Sequence, residues 1–486
     1  MCLIDDIQWA NKTEIDALKA LMIGANNPFM FIFTCRPGNH PFLQITEDIG
    51  GKTEIVLQSL NRTSVRQLVA ETLMIDNVDE CTSLANFIAR VTNGNPFFIR
   101  QQIISLRDEG LIRFGNDGWV WNLDEIEAMH DAESEDDVII VLSENMRRLP
   151  SQTQQALKIC ACLGSRVDLY VLGLLVREME GCDTEEDETT LAKEAISKAL
   201  AEGFLAVSQD GEAVIFTHDS VNEAAYSLEP DQQALHLKLG QILHRNIWSH
   251  LYRHYLFLIA AQLARGHDRI TDDKDRIETA RIFHNAGEKS VSASAFAEAH
   301  FFFTKARSCL LEDDWRTNYR LCCDIYLKAA DTAALTSDFQ DRDQCLAVLF
   351  NRCQGSLVDF LNATYIQVRS MPMNQWGEAI DIGLEALAMA GEKFPTKIQP
   401  RHLLIGFART RSSMKRSSGQ LLNLPPIADK QIIATLRLLH LLITGAMAFR
   451  QKLMPLLFFR VIKLNLTHGM SASMPSAVAL YGAALC

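Results

Sequence analysis

From about residue 231 to the end, the sequence reads as one helix after another, and no other feature constrains the fold as strongly. Within that stretch Ala299 lies 12 residues after Gly287, and Ala306 lies 7 after Ala299. Residues this small, at offsets of 12 and 7, belong where the two helices of a hairpin touch. A second pair of small residues, Ala379 and Ala386, follows Trp376. Small residues recurring in paired helices predict an α-solenoid with degenerate repeats over residues 231–486. The bulky run Phe301, Phe302 and Phe303 reads as core of this array rather than as a ligand box.

The first half is organised differently. Cys2-Leu3-Ile4-Asp5-Asp6 is an apolar run closed by two carboxylates, the pattern of a buried parallel strand. A short helix is predicted over Thr13–Ile23, and Phe29–Cys35 is a second apolar strand followed by Arg36-Pro37-Gly38. Strand, helix and strand make one βαβ unit of a parallel sheet. Val65, Leu68, Val69, Thr72 and Leu73 keep a helical rhythm, and Leu84, Phe87, Ile88 and Val91 repeat it. Asn93-Gly94-Asn95-Pro96 punctuates, and a third helix is expected from Phe97 to Arg107. Leu111–Phe114 and Trp119–Trp121 flank a hairpin turn at Asn116-Asp117-Gly118. Residues 124–137 hold eight acids and no Lys or Arg, which predicts a solvated linker. The helix-rich stretch from Val138 to Gly203 closes with Phe204–Val207, a turn at Asp210-Gly211, and Ala213–Phe216. Helices closed by a β-hairpin wing are the pattern of a winged-helix domain; a second acidic loop, Glu178–Glu188, lies inside it.

Charge and cysteine content narrow the classes further. A formal charge of -13 repels phosphate backbones and anionic bilayers, so neither nucleic acid nor membrane is expected as a partner. The twelve cysteines include no C-x-x-C and no zinc-finger spacing, and read as small buried hydrophobes of a reducing compartment. The apolar run Leu438–Phe449, flanked by Arg437 and Arg450, is shorter than a bilayer requires, and Asp5 and Asp6 interrupt any signal peptide. The expected location is the cytoplasm. The Ser- and Arg-rich stretch Arg409–Ser418 reads as a solvated helix end, with a nuclear signal or phosphorylation loop as the other reading.

One set of residues points to nucleotide chemistry. An apolar strand ending in Asp5-Asp6 delivers carboxylates to the edge of a sheet, as a Walker B strand does for Mg²⁺. Thr34 and Arg36 end the next strand, where a γ-phosphate sensor belongs; the Asn93–Pro96 turn and then Phe216-Thr217-His218-Asp219 follow in order. In that order and spacing the chain resembles the STAND class of AAA-related signalling ATPases. It resembles more closely the predicted-ATPase module, with an AAA part of the origin-recognition type, found between Ser/Thr-kinase-like and GAF or histidine-kinase regions of large sensor proteins. The resemblance implies a mainly α protein: a partial α/β P-loop NTPase domain with helical lid (1–110), a hairpin and acidic linker (111–137), a winged-helix domain (138–230) and tetratricopeptide-like repeats (231–486), truncated at both ends.

Carried over residue by residue, the resemblance implies that Asp5 holds Mg²⁺ through water and that Asp6 is the catalytic acid. It makes Arg36 the sensor arginine, and places Gly94 and Pro96 in a lid turn whose proline packs on adenine. It makes His218 the histidine that approaches the β-phosphate of ADP; on the residues alone, His218 reads equally as a satisfied histidine beside Asp219. One departure is decisive: no G-x-x-x-x-G-K-[ST] occurs, because Gly50-Gly51-Lys52-Thr53 has Thr46 where the first glycine belongs. ATP, ADP and Mg²⁺ are therefore expected only with a phosphate loop upstream, and the chain alone is not expected to hydrolyse ATP. The first reading is a fragment of a signal-transduction ATPase whose repeats bind protein and whose full-length chain carries kinase or histidine-kinase domains. The alternative is a non-catalytic protein-binding scaffold with a degenerate nucleotide domain. A transcription regulator would need a DNA-binding tail, which the sequence does not display.

Overall fold

The computed structural model describes residues 2–4, 7, 10, 12–23, 30–35, 53–115, 118–129, 135–181, 187–353, 355–417, 424–483 and 485. The chain divides into two compact units, Met1–Val138 and Ile139–Cys486.

In the first unit, strand β1 (Cys2–Ile4) pairs in parallel with β2 (Phe31–Phe33), and the helix Lys12–Ile23 lies between them in sequence. Ile7 and Ile15 are buried in a small cluster with Ile4, Leu18 and Phe33 packed around them. The parallel pair matches the sequence expectation; the burial of the first strand does not. Leu3 is 64% exposed, because the described sheet has two strands and a side chain pointing away from the cluster meets no second layer. Ile55, Val56 and Leu57, strand-forming by residue type, form no strand either. Residues 53–61 have no regular structure, and these three side chains are 80%, 64% and 91% exposed. β-branched residues need a ladder partner, and the described residues provide none there.

The helices that follow obey their periodicity. Arg62–Leu73 is capped by Asn61, whose side chain accepts from Ser64 N at 2.9 Å, and buries Val65, Val69 and Leu73. Thr82–Thr92 buries Leu84, Phe87 and Ile88, and Pro96–Asp108 buries Ile99, Ile103 and Leu106. The hairpin β3 (Ile112–Gly115) and β4 (Gly118–Trp121) docks on this core through Trp119, whose Nε1 donates to Leu73 O at 2.7 Å. The acidic stretch is not all linker: Leu123–Met129 is helical with Asp124 and Glu125 in its first turn, where the helix dipole favours them, and Ile126 is fully buried. A further helix runs Glu135–Arg147.

The second unit begins within the helix Glu135–Arg147 and continues with helices Ser151–Leu163, Leu169–Glu180 and Glu188–Ala201, closed by a three-stranded antiparallel sheet. The predicted hairpin is present as β6 (Leu205–Val207) and β7 (Ala213–Phe216), and β5 (Arg166–Asp168) adds to β7 on its other side. Beyond it come helical pairs that pack on one another in chain order. Helices Asp273–Ser292 and Phe296–Ser308 meet at Gly287, where an added Cβ would lie 2.7 Å from the Phe303 ring. Ala299 and Ala306 are fully buried there. Phe302 and Phe303 are core, as expected, but Phe301 faces outward at 47% exposure because three consecutive helical residues cannot share one face. The helix holding the C-terminal apolar run is Lys430–Phe449, longer than the run itself. It is the one described helix with the length and apolarity to cross a membrane, and half of its apolar window is buried in the core.

Polar links between successive helical pairs recur at regular separations. Arg307–Asp341 and His244–Glu278 are 34 residues apart, Arg276–Asp314 and Arg369–Asp331 are 38 apart, and His284–Asp324 is 40 apart. That spacing is close to the length of one two-helix repeat, so each link ties one pair to the next.

Candidate nucleotide site

The register of the first sheet sets what its edge can present. Ile4 is the register partner of Phe33, Thr34 N donates to Ile4 O at 3.1 Å, and Ile7 N donates to Thr34 O at 3.0 Å. Both strands therefore end at the same edge, as a carboxylate-bearing strand and a sensor-bearing strand require. Asp5, Asp6 and Arg36 themselves lie outside the described residues.

Gly94 and Pro96 are described, and each has a complete role in the backbone. Asn93 ends the helix Thr82–Thr92 in the left-handed conformation, and Gly94 follows at φ 71°. A Cβ on Gly94 would come within 2.3 Å of Leu60 O, while Leu60 N donates to Gly94 O at 2.9 Å. Asn95 then caps the next helix, accepting from Phe97 N at 3.0 Å, and Pro96 occupies the first turn, where its missing N–H costs nothing. The turn is thus a stop followed at once by a start.

His218 sits in the second unit, directly after β7. It caps the helix Asp219–Ser227, its Nδ1 accepting from Ser220 N at 3.2 Å, and it is half-buried. Only an imidazole unprotonated at Nδ1 can accept in this way. Gly94 and Pro96 belong to one unit and His218 to the other.

Among the described residues, no group of three or more His, Cys, Asp or Glu could hold a metal ion. A side chain at position 94 would collide with Leu60 O, and His218 uses its Nδ1 for the helix cap.

Two polar clusters escaped the sequence reading. His236 is 1% exposed, with Nδ1 2.6 Å from Gln262 Oε1 and Nε2 3.0 Å from the Tyr226 hydroxyl. Gln262 Nε2 donates to Cys162 O at 3.0 Å, which orients the amide and assigns the proton to His236 Nδ1. Burial holds the His236 pKa below its ordinary value. In the other cluster Cys323 Sγ and Cys353 Sγ lie 3.1 Å apart, both buried, beside Tyr319, whose hydroxyl donates to Asp359 at 3.1 Å. The hydrogen bond between the thiols lowers the pKa of Cys353 and raises that of Cys323. The partners are 26 and 30 residues apart, so helical periodicity, the one signal they carry, marked them only as core.

No protein-family model matches this chain. The hybrid signal transduction histidine kinase G of Dictyostelium discoideum is 24% identical over 365 residues, a match covering 62% of this chain. The chain spans only 10% of the length of that relative. Among solved structures, a signal transduction ATPase with numerous domains (STAND) with a tetratricopeptide repeat sensor, from Pyrococcus horikoshii, aligns over 96% of this chain and 68% of its own. The identity is 12% and the TM-score 0.34.

Proposed function

We propose that this chain is part of a signal-transduction ATPase, in which a nucleotide-dependent switch is coupled to a helical array that binds protein. The observation that carries the reading is the parallel register Ile4↔Phe33, which ends the Asp5-Asp6 strand and the Arg36 strand at one edge. The helical pairs linked at repeat-length intervals supply the array, and the likeness to a signal transduction histidine kinase supports a signalling context. In this proposal residues 1–110 are the later part of an AAA-type domain and 138–230 a winged helix, with three helices and a three-stranded sheet in support. Asp5 would position Mg²⁺ through water, Asp6 and Arg36 would serve hydrolysis, and His218 would sense the diphosphate. All four depend on a phosphate-binding loop that this sequence lacks.

The test compares Mg-ATP binding and turnover by this chain with those of the same chain extended by the upstream coding sequence. Weak or no binding by the chain alone is expected, with hydrolysis by the extended protein that falls about 10²-fold in Asp6→Asn. Equal turnover by extended wild type and Asp6→Asn would remove the catalytic assignment. The scaffold reading stands second. It is favoured by Gly94 and His218, whose places in the structure are explained without nucleotide.

A further inference from the structure

Charge is distributed very unevenly along this acidic chain. Residues 393–486 contain thirteen Lys and Arg and a single acid, Asp429, whereas residues 1–392 contain 34 basic and 59 acidic residues. The basic segment is folded around a groove of about 1040 Å³ between the helices Pro400–Ser417 and Met454–His468. Its floor is apolar, with Phe394, Ile405, Phe459 and Leu466, and its basic rim includes Lys393, Arg409, Arg416 and Lys463. Glu392, the one acid in the lining, is 8% exposed and already paired with Arg460. Lys393, Arg409 and Lys463 are exposed and form no ion pair among the described residues.

We infer that this groove binds an acidic amphipathic helical segment of a partner protein. Apolar side chains at helical spacing would cover the floor, and the flanking carboxylates would meet the rim, a helix-in-groove mode with charge setting the orientation. A phosphate backbone would answer the rim but leave Phe394, Ile405, Phe459 and Leu466 uncovered. A bilayer would need a convex or flat face rather than a groove. The groove lies on the helical array and rests on its proposed protein-binding role, but it needs no nucleotide switching.

The experiment presents the full chain, immobilised, with a pool of roughly sixteen-residue peptides carrying Leu or Phe at i, i+3, i+4 and i+7 and Glu or Asp on the flanks. A matched pool has Lys in place of the acids. A fluorescent DNA duplex and vesicles of mixed phosphatidylcholine and phosphatidylserine form the other arms. The expected result is retention of acidic members only, with affinity that falls as salt rises and drops at least about tenfold in Arg409→Glu/Lys463→Glu. The conservative pair Arg409→Lys/Lys463→Arg should keep binding, and thermal melts should show both variants folded, since both side chains lie at the surface. Retention of no acidic peptide, binding indifferent to the charge reversal, or tighter binding of duplex or vesicles would each overturn the inference.

Discussion

His236 shows how one buried side chain makes stability depend on pH. Its imidazole donates to Gln262 and accepts from Tyr226, and burial favours the neutral ring. In the unfolded chain the ring takes a proton near its ordinary value of 6.5; in the folded chain it does so only at lower pH. Between those two points the unfolded state binds more protons, so acid draws the equilibrium toward unfolding. The stabilisation is complete above the ordinary value and erodes as pH falls below it. Urea midpoints measured at neutral and mildly acidic pH should therefore decline toward acid in the wild type. His236→Gln cannot titrate; it should be about 1–2 kcal/mol less stable at neutral pH and lose less on acidification. An equal acid-side decline in both proteins would show that His236 is not the group responsible.

At the scale of elements, what the sequence disclosed depended on how far apart the contacting residues are. Gly287, Ala299 and Ala306 were legible because two adjacent helices of a hairpin meet within twenty residues. The contact between Trp376 and Gly445 was not: an added Cβ on Gly445 would lie 2.2 Å from the Trp376 ring, but nothing local to either residue names the other. The strand Arg166–Asp168 was missed because three residues carry no period, and its existence depends on the edge of β7. Ile55, Val56 and Leu57 show the converse, since strand-forming residues make a strand only where a neighbour pairs with them. In the candidate site, the Asn93–Pro96 turn could be read from its residues, as stop and start signals. The role of each residue toward a ligand could not, because turn chemistry is the same with or without nucleotide. The Trp376 contact gives a direct test of helix packing. Gly445→Ala should destabilise by about 1–3 kcal/mol by overpacking the Trp376 ring. Gly482→Ala, also helical but with nothing within 4 Å of the new methyl, should be neutral or slightly stabilising in thermal melts.

Between His244 and Arg369, the links at repeat-length intervals make the helical array quasi-one-dimensional, so a defect should stay close to where it is made. Arg276 and Asp314 are the sharpest place to ask. Asp314 is 4% exposed, accepts from Arg276 Nη1 at 2.6 Å and from Leu311 N at 2.7 Å, and the same Arg276 nitrogen donates to Cys309 O at 2.6 Å. Burial alone would raise the Asp314 pKa, but the guanidinium and the amide outweigh it and hold the carboxyl below its ordinary value. The pair's contribution is therefore present above the ordinary carboxylate range and lost as pH falls through the lowered one. Asp314→Asn keeps the shape but leaves the Arg276 charge with less compensation, at a cost of about 3 kcal/mol. Hydrogen exchange followed along the chain should then show lost protection in Asp273–Ser292, Phe296–Ser308 and Tyr319–Leu335, the helices nearest this link. Protection in Lys430–Phe449 and Met454–His468 should hold, because their core is built from Leu439, Leu442, Phe458 and their neighbours and contains no residue of those three helices. Uniform loss across all five helices would mean that the unit unfolds as one block, and that the repeat-length links do not set its cooperativity.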